Sequence, residues 1–176
     1  MAPDPEVIEN PVVGMRLRLL RTAADTDGEL LEMEATYEPG SVEPVEHFHP
    51  HQAEDFEIVS GRMRARVDGE ERDLRTGDRL HIPPKTVHAM WNEGDSKARV
   101  MWWTRPALRT EEFFATTSRL AREGRLSSKG ARTPLLGAVL LREFRNEFRP
   151  VRPPAAVQAL VLPAVAGLGR LLGQRL

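Results

Sequence analysis

Short runs of alternating apolar and polar residues fill the chain from about Met15 to Arg105. Residues 62–67 alternate three arginines with Met, Ala and Val, which predicts a strand with one solvated face and one apolar face. Asp68-Gly69 follows and favours a tight hairpin, because both residue types tolerate positive φ. Similar runs predict strands at 30–37, 79–82 and 99–103. The pattern therefore predicts an antiparallel β-barrel or sandwich.

The period becomes helical after Pro106. Thr110 precedes two glutamates, and a capping hydroxyl followed by carboxylates predicts a helix that runs to about Arg122. The polar stretch 123–132 is predicted to be a linker. Thr133-Pro134 then predicts a second helix start.

That second helix is predicted to be amphipathic, because Leu136, Leu140 and Phe144 fall on one face. Prolines between 150 and 154 interrupt it, and an apolar segment from Ala155 completes the chain. We therefore expect a β-barrel over 1–108, with its core at about 15–105, and an α-helical C-terminal extension over 109–176.

Composition allows a folded protein and narrows its chemistry. The 176 residues are 40% hydrophobic and 29% charged, which is ordinary for a globular domain. The chain has no cysteine, so disulfides, thiolate metal sites and cysteine nucleophiles are excluded. The first ten residues carry acids and prolines where a secretory signal needs a basic start and an apolar run, so we expect a cytoplasmic protein.

Charge is unevenly distributed along the chain. Residues 1–117 hold 14 Lys and Arg against 23 Asp and Glu, whereas residues 118–176 hold 11 against 3. A basic extension on an acidic body is attracted to its own barrel, to a partner subunit or to an anionic membrane. Nucleic acid is not an expected partner, because the basic residues are not accompanied by an aromatic stacking surface or a helix-turn-helix pattern.

The stretch 153–169 has no charged residue and is flanked by arginines. It is too short for an ordinary membrane span, which needs about 20 apolar residues, and it contains Gln158 and Pro163. We expect it to pack against a second subunit in a homodimer or to lie flat on an anionic membrane as a peripheral contact.

All five histidines lie between positions 47 and 88. His47 and His49 would share a face of a strand, since side chains alternate with period two, and two metal ligands need that geometry. Glu54 returns to the same face if Pro50 breaks the strand and a turn follows. His88 must arrive from a distant strand.

Alternatives to this ligand set remain. His51 replaces His47 if the strand continues past Pro50, and His81 fits an outward strand position or a partner to a ligand better than a ligand position. Asp55 and Glu57 stand close enough in sequence to compete with Glu54.

The spacing of these residues resembles the two motifs of the cupin superfamily, in particular single-domain, quercetin-dioxygenase-like cupins. The first motif is matched by Gly40-(six residues)-His47-x-His49-(four residues)-Glu54-(six residues)-Gly61, with one extra residue after Gly40. The second is matched by Gly77-(five residues)-Pro83-x-Lys85-(two residues)-His88-(three residues)-Asn92. Lys85 departs from the family pattern, which usually has glycine there, and the departure concerns the geometry of the local turn rather than the ligand positions, which are all intact.

The resemblance implies an all-β jelly-roll (cupin) barrel that holds one divalent metal on His47, His49, Glu54 and His88. Imidazole and carboxylate ligands suit Fe(II), Mn(II), Ni(II), Cu(II) or Zn(II), and affinity does not choose among them. Glu54 is also a candidate base. The large apolar residues near these strands predict an aromatic, partly hydrophobic substrate pocket. Its expected members are Phe56, Met63, Trp91, Met101 and Trp103.

Three functions fit these expectations. The first is a mononuclear metal-dependent enzyme, dioxygenase-like, acting on a small, partly hydrophobic organic molecule. The second is a metal-dependent isomerase, epimerase or decarboxylase, since cupins also include these classes. The third is a non-catalytic protein that binds a small molecule or assembles through its extension.

Overall fold

The alternating runs form antiparallel strands in a computed structural model, which describes residues 6–176. Residues 1–5 of the predicted barrel lie outside the described part. The elements, in chain order, are β1 Val7–Asn10, β2 Met15–Arg21, β3 Leu31–Tyr37, β4 His47–Phe48, β5 Ala53–Ser60, β6 Arg62–Val67, β7 Glu70–Arg75, β8 Arg79–Ile82, β9 His88–Trp91, β10 Ala98–Arg105, α1 Thr110–Arg122, β11 Leu126–Ser127, β12 Gly130–Ala131, α2 Pro134–Glu143, β13 Arg149–Pro150 and α3 Ala155–Leu171.

Two antiparallel sheets build the barrel. One has six strands in the order β1-β2-β3-β10-β5-β8, and the other has five in the order β13-β4-β9-β6-β7. Every second residue of β3 is buried, and β6 has the same alternation. Buried side chains of both sheets form one hydrophobic cluster, which includes Leu17, Met33, Ile58, Met63 and Val100. This arrangement confirms the predicted jelly-roll fold with an α-helical extension.

Two turns of the barrel depend on positive φ angles. Asp68 and Gly69 have φ of 48° and 84° and connect β6 to β7, which confirms the predicted tight hairpin. Gly61 lies between β5 and β6 with φ of 82°, and a Cβ there would approach Lys97 O to 2.7 Å and Ala98 Cα to 2.8 Å. Only glycine fits this position, because the backbone of the neighbouring strand passes directly against it.

The helices of the extension begin and end near the predicted residues. Thr133 caps α2 by accepting a hydrogen bond from the Leu136 N–H, as expected. The predicted cap at Thr110 was wrong: Arg109 precedes the helix without a side-chain cap, and the Thr110 hydroxyl accepts a hydrogen bond from Gln52 instead. The predicted linker was also wrong in part, since β11 and β12 pair within it as a small hairpin.

Leu136, Leu140 and Phe144 are buried together with Leu120 of α1. This confirms the amphipathic face predicted for the second helix. The side chain of Gln52, which is 1% exposed, joins the barrel to α1: its Nε2 donates to Pro106 O, Ala107 O and Thr110 Oγ1 at 2.7–3.0 Å.

After α2 the chain turns back to the barrel. We call residues 147–151 the return segment. Its strand β13 pairs antiparallel with β4, Pro150 opposite His47 and Arg149 opposite Phe48. The Val151 N–H then donates to Glu46 O at 3.0 Å. The boundary at residues 108 and 109 stays a prediction, but part of the extension is a strand of the barrel sheet.

In the described part of the chain, no ion pair joins the basic extension to the barrel. Within residues 6–176, the ion pairs made by its arginines after position 117 go to Glu123 and Glu143, which belong to the extension itself. Backbone pairing and aromatic packing make the attachment instead. Three partners were expected from the charge of the extension, and the structure shows contact with one of them, the barrel. This contact is made by backbone pairing and aromatic packing rather than by charge.

Helix α3 carries a large exposed apolar surface. Leu160 and Leu171 are 81% and 86% exposed. Among the described residues, no helix has the length and apolar character needed to cross a membrane. The expected homodimer and the expected peripheral membrane contact both stay predictions.

Candidate metal centre

Three histidines from two neighbouring strands meet at one point. His47 on β4 lies directly opposite His88 on β9, and His49 follows β4 immediately. Each of the three offers a nitrogen within 4.8 Å of those offered by the other two. Their ring centroids are 4.5–5.1 Å apart. His49 and His88 are buried and His47 is half-buried.

A backbone carbonyl holds Nδ1 of each ring. The Nδ1–H groups of His47 and His88 donate to Val45 O and Thr86 O at 2.9 and 3.0 Å. That of His49 donates to Glu147 O, in the return segment. A proton on Nδ1 leaves Nε2 with a free lone pair, which is the form that binds a metal.

Glu54 lies among these rings and is 1% exposed. Its Oε2 is 3.2 Å from His49 Nε2 and 3.0 Å from His88 Nε2. Its Oε1 accepts a hydrogen bond of 3.1 Å from the indole N–H of Trp102 on β10. Trp102 therefore orients the carboxylate so that Oε2 faces the histidines.

Asp55 and Glu57 do not share this position. They alternate with Glu54 along β5 and lie on its opposite face, where Asp55 pairs with His81 and Arg105 and Glu57 pairs with Arg79.

The charges of the cluster shift its pKa values. Burial raises the pKa of Glu54, but the adjacent imidazoles of His49 and His88 outweigh it and hold the pKa well below its ordinary value. Burial lowers the pKa of His49, whereas the charge of Glu54 outweighs it and raises the pKa. Burial and the neighbouring histidines lower the pKa of His47 to about 3. Glu54 is thus ionised and His47 neutral, the forms in which each binds a metal.

Unpaired buried atoms show that the residues fit a metal ion. His49 Nε2 and Glu54 Oε2 are both buried without a hydrogen-bond partner, although their separation of 3.2 Å would allow one. Buried polar atoms of this kind are costly unless something pairs with them. Three imidazole nitrogens and a carboxylate oxygen form a donor set typical of divalent transition metals. The assignment of all four residues as ligands stays a prediction.

The turn before His88 contains Lys85, the residue that departs from the family pattern. Lys85 has φ of 69°, a conformation that glycine adopts most easily, and its N–H donates to His49 O at 2.8 Å. Lys85 therefore has a glycine-like backbone conformation in this turn. It ties the approach to β9 to the end of the β4 segment and so brings His88 beside His49.

The two other histidines lie apart from the cluster. His51 is exposed, and the cluster contains His47 rather than His51. The His81 side chain is 61% exposed and pairs with Asp55 on the outside of the sheet. His81 thus has the outward strand position that was expected for it.

The residues predicted to line the pocket are divided between the two faces of the sheets. Phe56 and Met63 belong to the buried cluster of the barrel. Met101 and Trp103 alternate with Trp102 and lie on the other face of β10, where Trp103 donates to Glu32. Trp91 lies under the guanidinium of Arg66. The structure therefore does not bring Trp91, Met101 and Trp103 to the histidines.

Two aromatic residues that were not expected stand at the centre. Trp102 bonds to Glu54, and the ring of Phe148 is stacked on His47 with centroids 4.6 Å apart. The register of β10 with β5, which places Thr104 opposite Glu54, has the parity that selects Trp102 over Trp103. For Phe148 the sequence offers no comparable signal.

The extension has a cleft of its own. Its volume is about 450 Å³, and its lining includes Arg109, Glu112, Glu143 and Arg170. It shares no lining residue with the histidine cluster. This cleft is therefore not the pocket predicted beside the metal.

Most strands and all histidines of the barrel lie in a region that matches a known family. Residues 33–104, which run from within β3 to within β10 and include all four predicted ligands, match the family model described as Cupin domain. This part of the barrel is a cupin domain. Its predicted fold and family are thereby confirmed.

Two curated relatives match this cupin domain. Quercetin 2,3-dioxygenase of Bacillus subtilis (strain 168) is 33% identical over 72 residues, which are 41% of this chain and 21% of the relative. Polyketide synthase CurC of Streptomyces cyaneus is 38% identical over 61 residues, 35% of this chain and 40% of the relative. The match thus spans less than half the length of either relative.

A solved structure has the same fold. The RmlC-like cupin from Shewanella frigidimarina NCIMB 400 is 21% identical, with a TM-score of 0.52 over 61% of this chain and 88% of that protein. At this identity the likeness concerns the fold alone.

Proposed function

We propose that this chain is a mononuclear metal-dependent enzyme of the dioxygenase type, acting on a small, partly hydrophobic organic molecule. The observation that carries the proposal is the orientation of the three histidines. Their Nδ1 atoms are held by backbone carbonyls, and their other nitrogens converge beside Glu54. His47, His49, His88 and Glu54 would hold the ion.

A divalent metal bound there would supply a Lewis acid for an enolate or phenolate oxygen and a redox centre for reaction with dioxygen. In the oxidative cleavage of an enolate or phenolate both atoms of O₂ enter the products and the substrate supplies all the electrons, so no external reductant is needed. The similarity to a quercetin 2,3-dioxygenase supports this class over the other cupin activities.

The protein's own groups would bind and orient the substrate. The ring of Phe148 lies on His47 and offers a flat apolar surface next to the ligands, which suits an aromatic substrate. Glu54 Oε1 is occupied by Trp102, so any proton taken from a substrate hydroxyl would go to Oε2. The low pKa of Glu54 favours its role as a ligand over its role as a base.

The test begins with elemental analysis of protein purified without added metal, followed by titration with Fe(II), Mn(II), Ni(II), Cu(II) and Zn(II). We expect one ion per chain. Oxygen uptake with a flavonol such as quercetin is then measured with the metal-loaded protein, with His81→Ala as the matched control for His49→Ala. Oxygen uptake should be lost in His49→Ala and kept in His81→Ala.

Three results would overturn the proposal. Failure to bind any of the five metals removes its basis. Turnover in the absence of oxygen would replace the dioxygenase with the isomerase, epimerase or decarboxylase alternative. Stoichiometric binding of flavonols without turnover would support the non-catalytic alternative.

A further inference from the structure

The return segment reaches the metal centre from a distant part of the chain. His49 and Glu147, which share a hydrogen bond, are 98 positions apart. The segment adds β13 at the edge of the five-stranded sheet, directly beside the strand that carries His47. Since β4 has only two residues, this pairing supplies a neighbour to a very short strand on its otherwise open side.

Glu147 contributes its backbone to one ligand. Its carbonyl oxygen accepts the Nδ1–H of His49, which fixes the tautomer and the rotation of that ring. Glu147 itself is buried, with 5% exposure, and its Oε1 accepts a long hydrogen bond of 3.4 Å from the Arg109 N–H, where α1 begins. A carboxylate at a helix N-terminus is favourable there. The position of the carbonyl is thus set by α1 and not by the barrel alone.

Phe148 contributes its side chain to a second ligand. The ring is stacked on His47 at an interplanar angle of 27°, and its other neighbour is Phe113 of α1, with centroids 5.2 Å apart. Phe113 adjoins Phe114, which packs edge-on against Trp102, the partner of Glu54. A continuous series of aromatic rings therefore connects His47 to Glu54 through the first helix of the extension.

We propose that the return segment is part of the metal centre and positions two of its histidines. The Glu147 carbonyl and the Phe148 ring are positioning groups for His49 and His47, so that metal binding and docking of the extension stabilise each other. This inference rests on the proposed function, since it requires that the histidines bind a metal. It goes beyond that function in assigning the extension to the site rather than to assembly alone.

Two pairs of variants of the full chain test the proposal. Phe148→Ala removes the ring from His47, and Phe148→Tyr keeps it. Val151→Pro removes the N–H that donates to Glu46 O, whereas Val151→Ala shortens the same side chain, which is 36% exposed, and keeps that N–H. The readouts are Co(II) affinity by chelator competition and the visible absorption spectrum of bound Co(II). Neither depends on turnover.

We expect Phe148→Ala and Val151→Pro each to weaken Co(II) binding by about 10- to 100-fold, as changes in groups that orient metal ligands do. Both should change the Co(II) spectrum. Phe148→Tyr and Val151→Ala should stay near the wild type. In the wild type, Zn(II) should slow hydrogen exchange at the Phe148 and Val151 amides, because an ion that binds only the docked form stabilises it.

The outcomes separate this inference from the proposed function. A wild type that binds neither Co(II) nor any of the five metals named above refutes the proposed function. A wild type that binds Co(II) while Phe148→Ala and Val151→Pro bind it equally well refutes the role of the return segment. Should circular dichroism show that Val151→Pro is unfolded, Phe148→Ala against Phe148→Tyr decides the matter.

Discussion

The two halves of the metal centre are supported by different parts of the chain. Glu54 and His88, the barrel half, are oriented by Trp102 and by the Thr86 carbonyl, both within the cupin domain. His47 and His49, the extension half, contact Phe148 and the Glu147 carbonyl, both in the return segment. The comparison shows that the matched region contains the four candidate ligands, while a segment outside it contacts two of them.

This difference bears on how the extension is understood. A basic, helical C-terminal region suggests attachment to a partner, but its arginines pair mostly with acids of their own region. The extension instead contacts the barrel through apolar side chains and backbone hydrogen bonds. These contacts include His47 and His49. We therefore expect loss of the extension to affect metal affinity as well as assembly.

The largest effect is expected from removing one ligand in each half. His49→Ala and His88→Ala should each weaken Co(II) binding by more than about 100-fold, beyond the range caused by changes in supporting groups. The measurement is isothermal titration calorimetry or chelator competition. Equal losses in both variants would show that the two halves form one centre.

Matched controls are available among the remaining histidines. His51→Ala and His81→Ala remove exposed imidazoles and should leave Co(II) affinity within about twofold, as expected for surface changes away from the site. If His51→Ala caused the loss and His47→Ala did not, the alternative ligand set with His51 would be correct.

The candidate ligands and most strands of the barrel were predictable from the sequence. Alternation in runs such as 62–67 defined strands, and the spacing of His47, His49 and His88 defined candidate ligands before any strand was paired. The choice between Trp102 and Trp103 was not accessible, because three consecutive large apolar residues, 101–103, hide the alternation that would show which face each residue occupies.

The contacts of the return segment with His47 and His49 were not predictable for another reason. The return segment contains a two-residue strand with a proline, which has no alternation to detect, and it pairs with a strand about a hundred residues away along the chain. Phe148 lies among arginines and gives no sign that its ring reaches a histidine. Tertiary contacts of this kind are determined by how α1 and α2 pack, which local patterns do not encode.

The response to pH should distinguish the two histidines of the extension half. Because the pKa of His49 is raised above its ordinary value of 6.5, a proton competes with the metal for this side chain already above that pH. His47, with a pKa of about 3, stays neutral. Affinity should therefore be constant at high pH and fall as the pH drops through the pKa of His49, by about tenfold per unit for one displaced proton. Co(II) titrations between about pH 8 and pH 5 measure this slope.

The number of protons displaced by the metal also defines the results that would contradict this prediction. Affinity that stays constant down to about pH 5 would mean that no ligand binds a proton in this range, against the raised pKa of His49. A slope near two protons would mean that a second histidine competes as well, and His47→Ala would identify whether it is His47.

The smallest effect is expected from a change in a group that supports the barrel half. Trp102→Phe is that change. This change removes the N–H that bonds to Glu54 Oε1 at 3.1 Å and leaves a buried carboxylate oxygen without its donor. We expect the free energy of unfolding to fall by about 1.5–3 kcal/mol, the value of a hydrogen bond to a charged group, and Co(II) affinity to fall by about tenfold. Chemical denaturation and chelator competition give the two numbers.

Trp103→Phe is the matched control for this change, since it removes an indole N–H from the neighbouring residue, which bonds to the half-buried Glu32 on the opposite face of β10. It should cost less stability and leave Co(II) affinity unchanged, because the Glu32 carboxylate can be solvated and does not touch the histidines. Equal losses of affinity in the two variants would mean that β10 supports the site only through general stability. A loss confined to Trp102→Phe would show that Glu54 must be held at Oε1 for Oε2 to serve the metal, as His49 must be held at Nδ1 for its other nitrogen to do so.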